Sequence, residues 1–167
     1  MYEKITQEEK KRIEDEIRHL KLVVRPKAIE DVKEARAHGD LSENFEYKAA
    51  KQFKNQNDSR IRYLERILKN AEIIDSNSKD GEVGVNTLIT IYFPEDDEEE
   101  TYKMVTSMRG NSLENKISID SPLGKALQHH KVNDKVNIQV NDNYNYDVII
   151  RSIENIYDDG SDELRKY

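Results

Sequence analysis

Two long stretches of the chain repeat apolar residues every three or four positions. A third stretch alternates them every second position. In the first stretch, Ile13, Ile17, Leu20, Val24, Ala28, Val32 and Ala35 fall on one stripe of a helix. In the second, Tyr47, Ala50, Phe53 or Lys54, Asn57, Ile61, Leu64, Leu68 and Ala71 do the same. Thr6 stands three residues before Glu9, the spacing of a capping box, and marks the first helical start. Pro26 interrupts the first pattern and predicts a kink or a reset first turn, not the end of the arm. The break between the arms is Gly39-Asp40-Leu41-Ser42. Gly39 can take positive φ and stop the first helix, and Asp40 and Ser42 are both good N-caps for the second. Asn57 puts a polar group on the seam, which weakens the core there and can fix register. Each arm of about 30 residues reaches on the order of 45 Å. Arms of matched length around a short break predict an antiparallel helical hairpin.

A linker at Asp75-Ser76-Asn77-Ser78 separates this pattern from the next. Thr87–Phe93 is β-branched and aromatic and predicts a strand; Tyr102–Met108 predicts a second. The acidic run from Pro94 to Glu100 is the turn between them. Lys116–Ile119 is a short third strand, and Pro122–His129 a short helix capped by Ser121. Lys135–Val140 and Tyr146–Ile156 alternate around a turn at Asn141–Asn145. The fold class is therefore α+β: a helical hairpin, then a small antiparallel sheet with one short helix. The division is 1–75 hairpin, 76–79 linker, 80–158 sheet domain and 159–167 polar tail, read as frayed.

Composition fits an elongated element more than one large core. Of the 167 residues, 35% are apolar and 37% charged. There is no Cys, so disulfides and thiolate metal sites are excluded. Nothing approaches a membrane span or an apolar leader, so a cytoplasmic protein with no membrane partner is expected. The net charge of −7 is uneven: residues 1–72 hold 17 Lys/Arg against 15 Asp/Glu, and residues 73–167 hold 10 against 19. An acidic chain is a poor free binder of nucleic acid, so any such contact has to be local or mediated by a partner. His38, His129 and His130 show no ligand spacing beyond one adjacent pair and read as structural or surface residues.

Residues 35–51 read Ala-Arg-Ala-His-Gly-Asp-Leu-Ser-Glu-Asn-Phe-Glu-Tyr-Lys-Ala-Ala-Lys. This long segment resembles the signature of the GreA/GreB transcript-cleavage factors. Arg25-Pro26, Asn70-Ala71-Glu72-Ile73-Ile74-Asp75 and Ile117-Ser118-Ile119-Asp120-Ser121-Pro122-Leu123 add to the likeness, which is nearer to GreA. The resemblance implies a coiled-coil hairpin and an FKBP-like second domain. It implies a factor, not itself an enzyme, that enters the secondary channel of bacterial RNA polymerase. There it activates the polymerase's own cleavage of backtracked RNA.

By the same resemblance the acidic pair at the tip is Asp40 and Glu43, and the basic residues near the nascent RNA 3′ end are Arg36 and Lys51. The polymerase-docking loop is Asp120, Ser121 and Pro122. The chain would carry no cofactor of its own, sharing the polymerase's Mg²⁺ through Asp40 and Glu43, and would act as a monomer. Three departures stand out: Asn141-Asp142-Asn143-Tyr144-Asn145 replaces a Pro-Gly-Gly-like turn, the tail after Tyr157 is longer than usual, and Phe45 replaces a smaller residue.

The chemistry fits. Phosphodiester hydrolysis gains from two metal ions about 3.5–4 Å apart, and Mg²⁺ prefers oxygen ligands. Asp40 and Glu43, three apart at a helix start, can face one side. Two carboxylates form no cage, so no nuclease activity is expected without polymerase. The bland alternative for these residues is a capped turn with first-turn acids; for Arg36 and Lys51 it is a solvated helix face. Other functions on the same scaffold are a secondary-channel modulator without cleavage, a plain coiled-coil adaptor, and a prolyl isomerase. The last needs an aromatic-lined pocket, and a domain whose one Phe is Phe93 predicts none.

Overall fold

The structure is a computed structural model and describes residues 2–39, 44–76 and 80–167. These residues pack as two units, one built on Glu9–Ala71 and the other on Glu3–Glu8 with Glu72–Arg165.

In the hairpin unit, the helix Gln7–His19 (α1) begins directly after Thr6, and Thr6 and Glu9 are both fully buried. A π-helical turn, Leu20–Val24, follows, and the helix Arg25–Ala37 (α2) continues from it. The Arg25 N–H donates to the Leu20 carbonyl, five residues back. This wide turn sits just ahead of Pro26, which stands in the first turn of α2. The interruption expected at Pro26 is thus absorbed by an inserted residue upstream, and the arm carries on. The insertion rotates Leu22 and Val23 off the seam, and both are exposed.

The second arm is one helix, Phe45–Asn70 (α3). Ile13, Ala28, Val32 and Ala35 are buried on the first arm, and Ile61, Leu64 and Ile67 on the second. Each such large aliphatic side chain contributes roughly 1.5–3 kcal/mol by leaving water. The small residues Ala28 and Ala35 let the arms approach closely. Phe53 is exposed and Lys54 half-buried, so Lys54 takes the seam step. Asn57 is buried, and its side-chain amide donates to the Leu20 carbonyl at 3.4 Å.

Ion pairs close the flanks: Arg60 to Glu16 at 2.9 Å and Arg25 to Asp58 at 3.0 Å. Burial pushes the Asp58 carboxyl up, but hydrogen bonds from Lys54 and Arg25 outweigh it and hold Asp58 below its ordinary range. In the same unit the Lys166 carbonyl accepts from Arg60, and the Tyr167 ring lies against Tyr63.

The other unit contains two sheets. Lys4–Thr6 (β1) pairs in parallel with Glu72–Ile74 (β2). Ile5 is fully buried there. Three-residue strands leave no readable alternation, so the sequence assigned both segments to the hairpin domain.

The larger sheet is made of Thr87–Phe93 (β3), Glu98–Val105 (β4), Lys116–Ser118 (β5), Lys135–Asn141 (β6) and Tyr144–Asn155 (β7), in the order β5-β4-β3-β7-β6. Two details differ from the sequence reading. Glu98, Glu99 and Glu100 belong to β4, paired with Phe93, Tyr92 and Ile91. The turn is correspondingly shorter. Glu is a weak strand former, but the ladder to the strong strand β3 outweighs that preference. And β5 runs parallel to β4, so the sheet is mixed.

The helix Pro122–Leu127 (α4) and the sheet enclose Ile89, Ile91, Met104, Leu127, Ile138, Val148 and Ile150, all fully buried.

The segment after Tyr157, expected to fray, is packed. The Asp162 carboxylate is 3% exposed and meets Lys103 at 2.7 Å, Lys116 at 2.9 Å and Arg109 at 3.1 Å. Arg109 is itself buried and donates to Asn86 at 2.7 Å. Burial alone would raise the Asp162 pKa; hydrogen bonds from Lys103, Lys116 and Arg109 overcome that and hold it well below the usual carboxylate range. The Arg165 N–H donates to the Met108 carbonyl at 2.7 Å. Polarity in the tail's sequence reflects this buried charge network.

Candidate functional site

The end of the hairpin is organised by one side chain. Asn44, in extended backbone, is the N-cap of α3, and its side-chain Oδ1 accepts from the Tyr47 N–H at 3.0 Å. Its Nδ2 donates to the Ala35 carbonyl at 2.7 Å, in the last turn of α2. The same amide therefore satisfies an orphan donor of α3 and gives a second donor to a carbonyl of α2 that already accepts from the His38 N–H at 3.2 Å. The N-caps expected from the sequence, Asp40 and Ser42, lie outside the described residues, as does Glu43; the cap of the described helix is Asn44. Gly39 adopts φ +137°, open to glycine and costly for other residues.

Arg36 and Lys51 converge on one ring. The Arg36 guanidinium carbon is 5.5 Å from the Tyr47 ring centroid, and Lys51 Nζ is 5.9 Å from it. Arg36 also donates to the Tyr47 hydroxyl at 3.4 Å. That hydrogen bond, helped by the Lys51 and Arg36 charges, outweighs the opposing effect of burial and lowers the phenol's pKa from its ordinary value. Phe45, the first residue of α3, is 79% exposed, and Lys48 Nζ stands 5.5 Å from its ring centroid. His38 Nδ1 lies 3.3 Å from Glu46. The basic pair, both rings and the cap thus gather at one end of the hairpin. The sequence points to Arg36 and Lys51 through the family resemblance, but not to the clasp made by Asn44. The signal for it was present: Asn two residues before Glu46, at the start of a glycine-free helical run.

The second candidate cluster lies at the start of α4. Ser121 is the N-cap: its Oγ accepts from the Gly124 N–H at 3.0 Å and donates to the Ser118 carbonyl at 2.7 Å. Asp120 and Pro122 are exposed and line a recess of about 430 Å³ with Lys125, Ala126, Asn137 and Gln139. Of the three expected residues, Ser121 shapes the turn, and Asp120 and Pro122 present its surface.

An aromatic recess does exist in the sheet unit, against the sequence expectation. Phe93, Tyr144 and Tyr146 line about 260 Å³ together with Glu95, Asp96 and Asp147. Glu95, Asp96 and Asp147 make its rim acidic. Among the described residues, no group of three or more His, Asp or Glu could hold a metal ion, and no helix is long and apolar enough to cross a membrane.

Comparison with known proteins gives this arrangement a class. The family profile "Transcription elongation factor, N-terminal" matches residues 3–73, and "Transcription elongation factor, GreA/GreB, C-term" matches residues 77–155. Hairpin and sheet are thus the two parts of a transcription elongation factor. The chain belongs to the GreA/GreB family.

The transcription elongation factor GreA of Lachnoclostridium phytofermentans is 41% identical over 147 residues, 87% of this chain and 92% of that protein. GreA of Nitrosococcus oceani is 41% identical over 137 residues, 81% of this chain and 87% of its own. Among solved structures, GreA factor homolog 1 (Gfh1) of Thermus thermophilus is 26% identical, covering 92% of this chain and 99% of its own at a TM-score of 0.43. GreA/GreB from Nitrosomonas europaea is 23% identical, covering 56% and 78%, at a TM-score of 0.39.

Proposed function

We propose that this chain, acting as a monomer in the cytoplasm, enters the secondary channel of bacterial RNA polymerase with its hairpin. There it stimulates the polymerase's own cleavage of backtracked RNA. The hydrolysis belongs to the polymerase, and the chain is not an enzyme by itself. The observation that carries the reading is the hairpin end. A clasp from Asn44 to Ala35 closes two arms of roughly 40 Å or more, and Arg36 and Lys51 flank it on the Tyr47 ring. The acids Asp40 and Glu43 stand in sequence between Gly39 and Asn44.

Mg²⁺ held jointly with the polymerase would stabilise the attacking and leaving oxygens. Asp40 and Glu43 would supply carboxylate oxygens to it; two carboxylates leave most of an octahedral shell to other donors, which suits a shared ion. Arg36 and Lys51 would meet the phosphates of the extruded RNA 3′ end. Asp120 and Pro122, on the turn capped by Ser121, would dock the second unit, whose sheet we read as FKBP-like, on the polymerase surface.

The test is RNA cleavage in a halted, backtracked elongation complex. Wild type should accelerate cleavage, whereas Asp40→Asn and Glu43→Gln should lose at least about tenfold in rate while still binding. Polymerase alone should be slow and the factor alone inactive. Wild-type cleavage by Asp40→Asn would remove the metal role. Binding that slows elongation with no cleavage by any form would favour a channel modulator.

A further inference from the structure

Resting on the reading above, we propose that Phe45 is a stacking platform for a nucleobase of the RNA 3′ end that the hairpin meets. Phe45 is 79% exposed, so it adds nothing to the hairpin core. Its backbone is nonetheless fixed, because Asn44 immediately before it caps α3 and bonds to Ala35. A large apolar ring is thus held out to solvent on a rigid helix start.

Its neighbours define what it would hold. Lys48, one turn on, stands 5.5 Å from the ring centroid. Arg36 and Lys51 stand at 5.5 and 5.9 Å from the Tyr47 ring two residues away. Three cations beside two aromatic rings combine phosphate attraction with base stacking, the pairing that single-stranded nucleic acid requires. Among the described residues beside the rings, the acid Glu46 lies against His38 at 3.3 Å. An apolar protein wall would be served by any large aliphatic side chain and calls for no ring of cations. Stacking needs a π-face and tolerates every base, so the platform would grip backtracked RNA regardless of sequence.

The experiment compares affinity for two halted polymerase complexes, one backtracked by several nucleotides and one with its RNA end at the active centre. The variants are Phe45→Leu, Phe45→Ala, Phe45→Tyr and Phe45→Trp, each checked for wild-type helical circular dichroism. Stacking predicts that Leu and Ala weaken binding to the backtracked complex about tenfold. Tyr and Trp should stay near wild type, and all should bind the other complex equally. Wild-type affinity for Phe45→Leu overturns the proposal in favour of an apolar contact, and equal weakening on both complexes overturns it in favour of a protein contact. Because the readout is binding, it reports on Phe45 even if no form stimulates cleavage. Failure of the cleavage reading itself would show separately, in the Asp40→Asn comparison.

Discussion

The Asn44 side chain donates to the Ala35 carbonyl at 2.7 Å while accepting from the N–H of Tyr47. One amide closes both arms of the hairpin, and an isosteric change separates its two duties. Asn44→Asp keeps the cap acceptor and loses the donor; Asn44→Ala loses both. The alanine variant should cost about 1–2 kcal/mol, with the aspartate variant between it and wild type. Thermal unfolding of the full chain measures this.

Asn57 presents the opposite balance. Its bond to the Leu20 carbonyl is long, at 3.4 Å, and that carbonyl already accepts from Arg25. A hydrogen bond contributes about 0.5–1.5 kcal/mol net, less than the roughly 1.5–3 kcal/mol of a buried leucine. Asn57→Leu should therefore raise the midpoint of urea unfolding. A lowered midpoint would show that this polar contact, not apolar burial, stabilises the π turn.

Asp162 sets an acid limit. Its folded pKa lies below the ordinary value, so its stabilisation is full above about pH 4, the unfolded aspartate range, and is lost as pH falls through the folded value. Wild-type stability should decline below pH 4. Asp162→Asn should lose about 3 kcal/mol at pH 7, because Lys103, Lys116 and Arg109 lose their shared carboxylate, and should show a flatter acid response. Denaturation curves from pH 3 to pH 7 measure both effects.

Gly124 lets α4 rest on the turn before it. A Cβ there would meet the Ser118 carbonyl oxygen at 1.9 Å, and a backbone atom cannot swing away. Gly124→Ala should cost at least about 1–3 kcal/mol and displace Asp120 and Pro122. Polymerase affinity should fall with it, and a pull-down against Asp120→Ala would compare the two losses.

Much of this was legible in the chain. Steps of three and four gave both arms, β-branched and aromatic composition gave β3, alternation gave β6 and β7, and Ser121 before Pro122 gave α4 with its cap. What stayed hidden depended on partners distant in sequence. β1 and β2 are three residues each and exist through one another. Asp162 reads as a solvated tail residue until Arg109 and two lysines surround it. The wide turn before Pro26 follows from a helix that must remain continuous on one seam. At the hairpin end, Arg36 and Lys51 come from the family signature, and the capping half of Asn44 is readable before a helical run, whereas its hydrogen bond across to Ala35 depends on a partner nine residues away.

The acidic run offers a last lesson. β5 pairs with β4 only at Lys103–Val105, so among the described residues the outer rim of β4 at Glu98, Glu99 and Glu100 has no neighbouring strand. Exposed rims of this sort invite a second molecule to add itself and start a growing stack. A copy approaching there would bring its own three carboxylates against these three. What reads in the sequence as an acidic turn would act as insulation, and exchanging the three glutamates for threonine would strip it off.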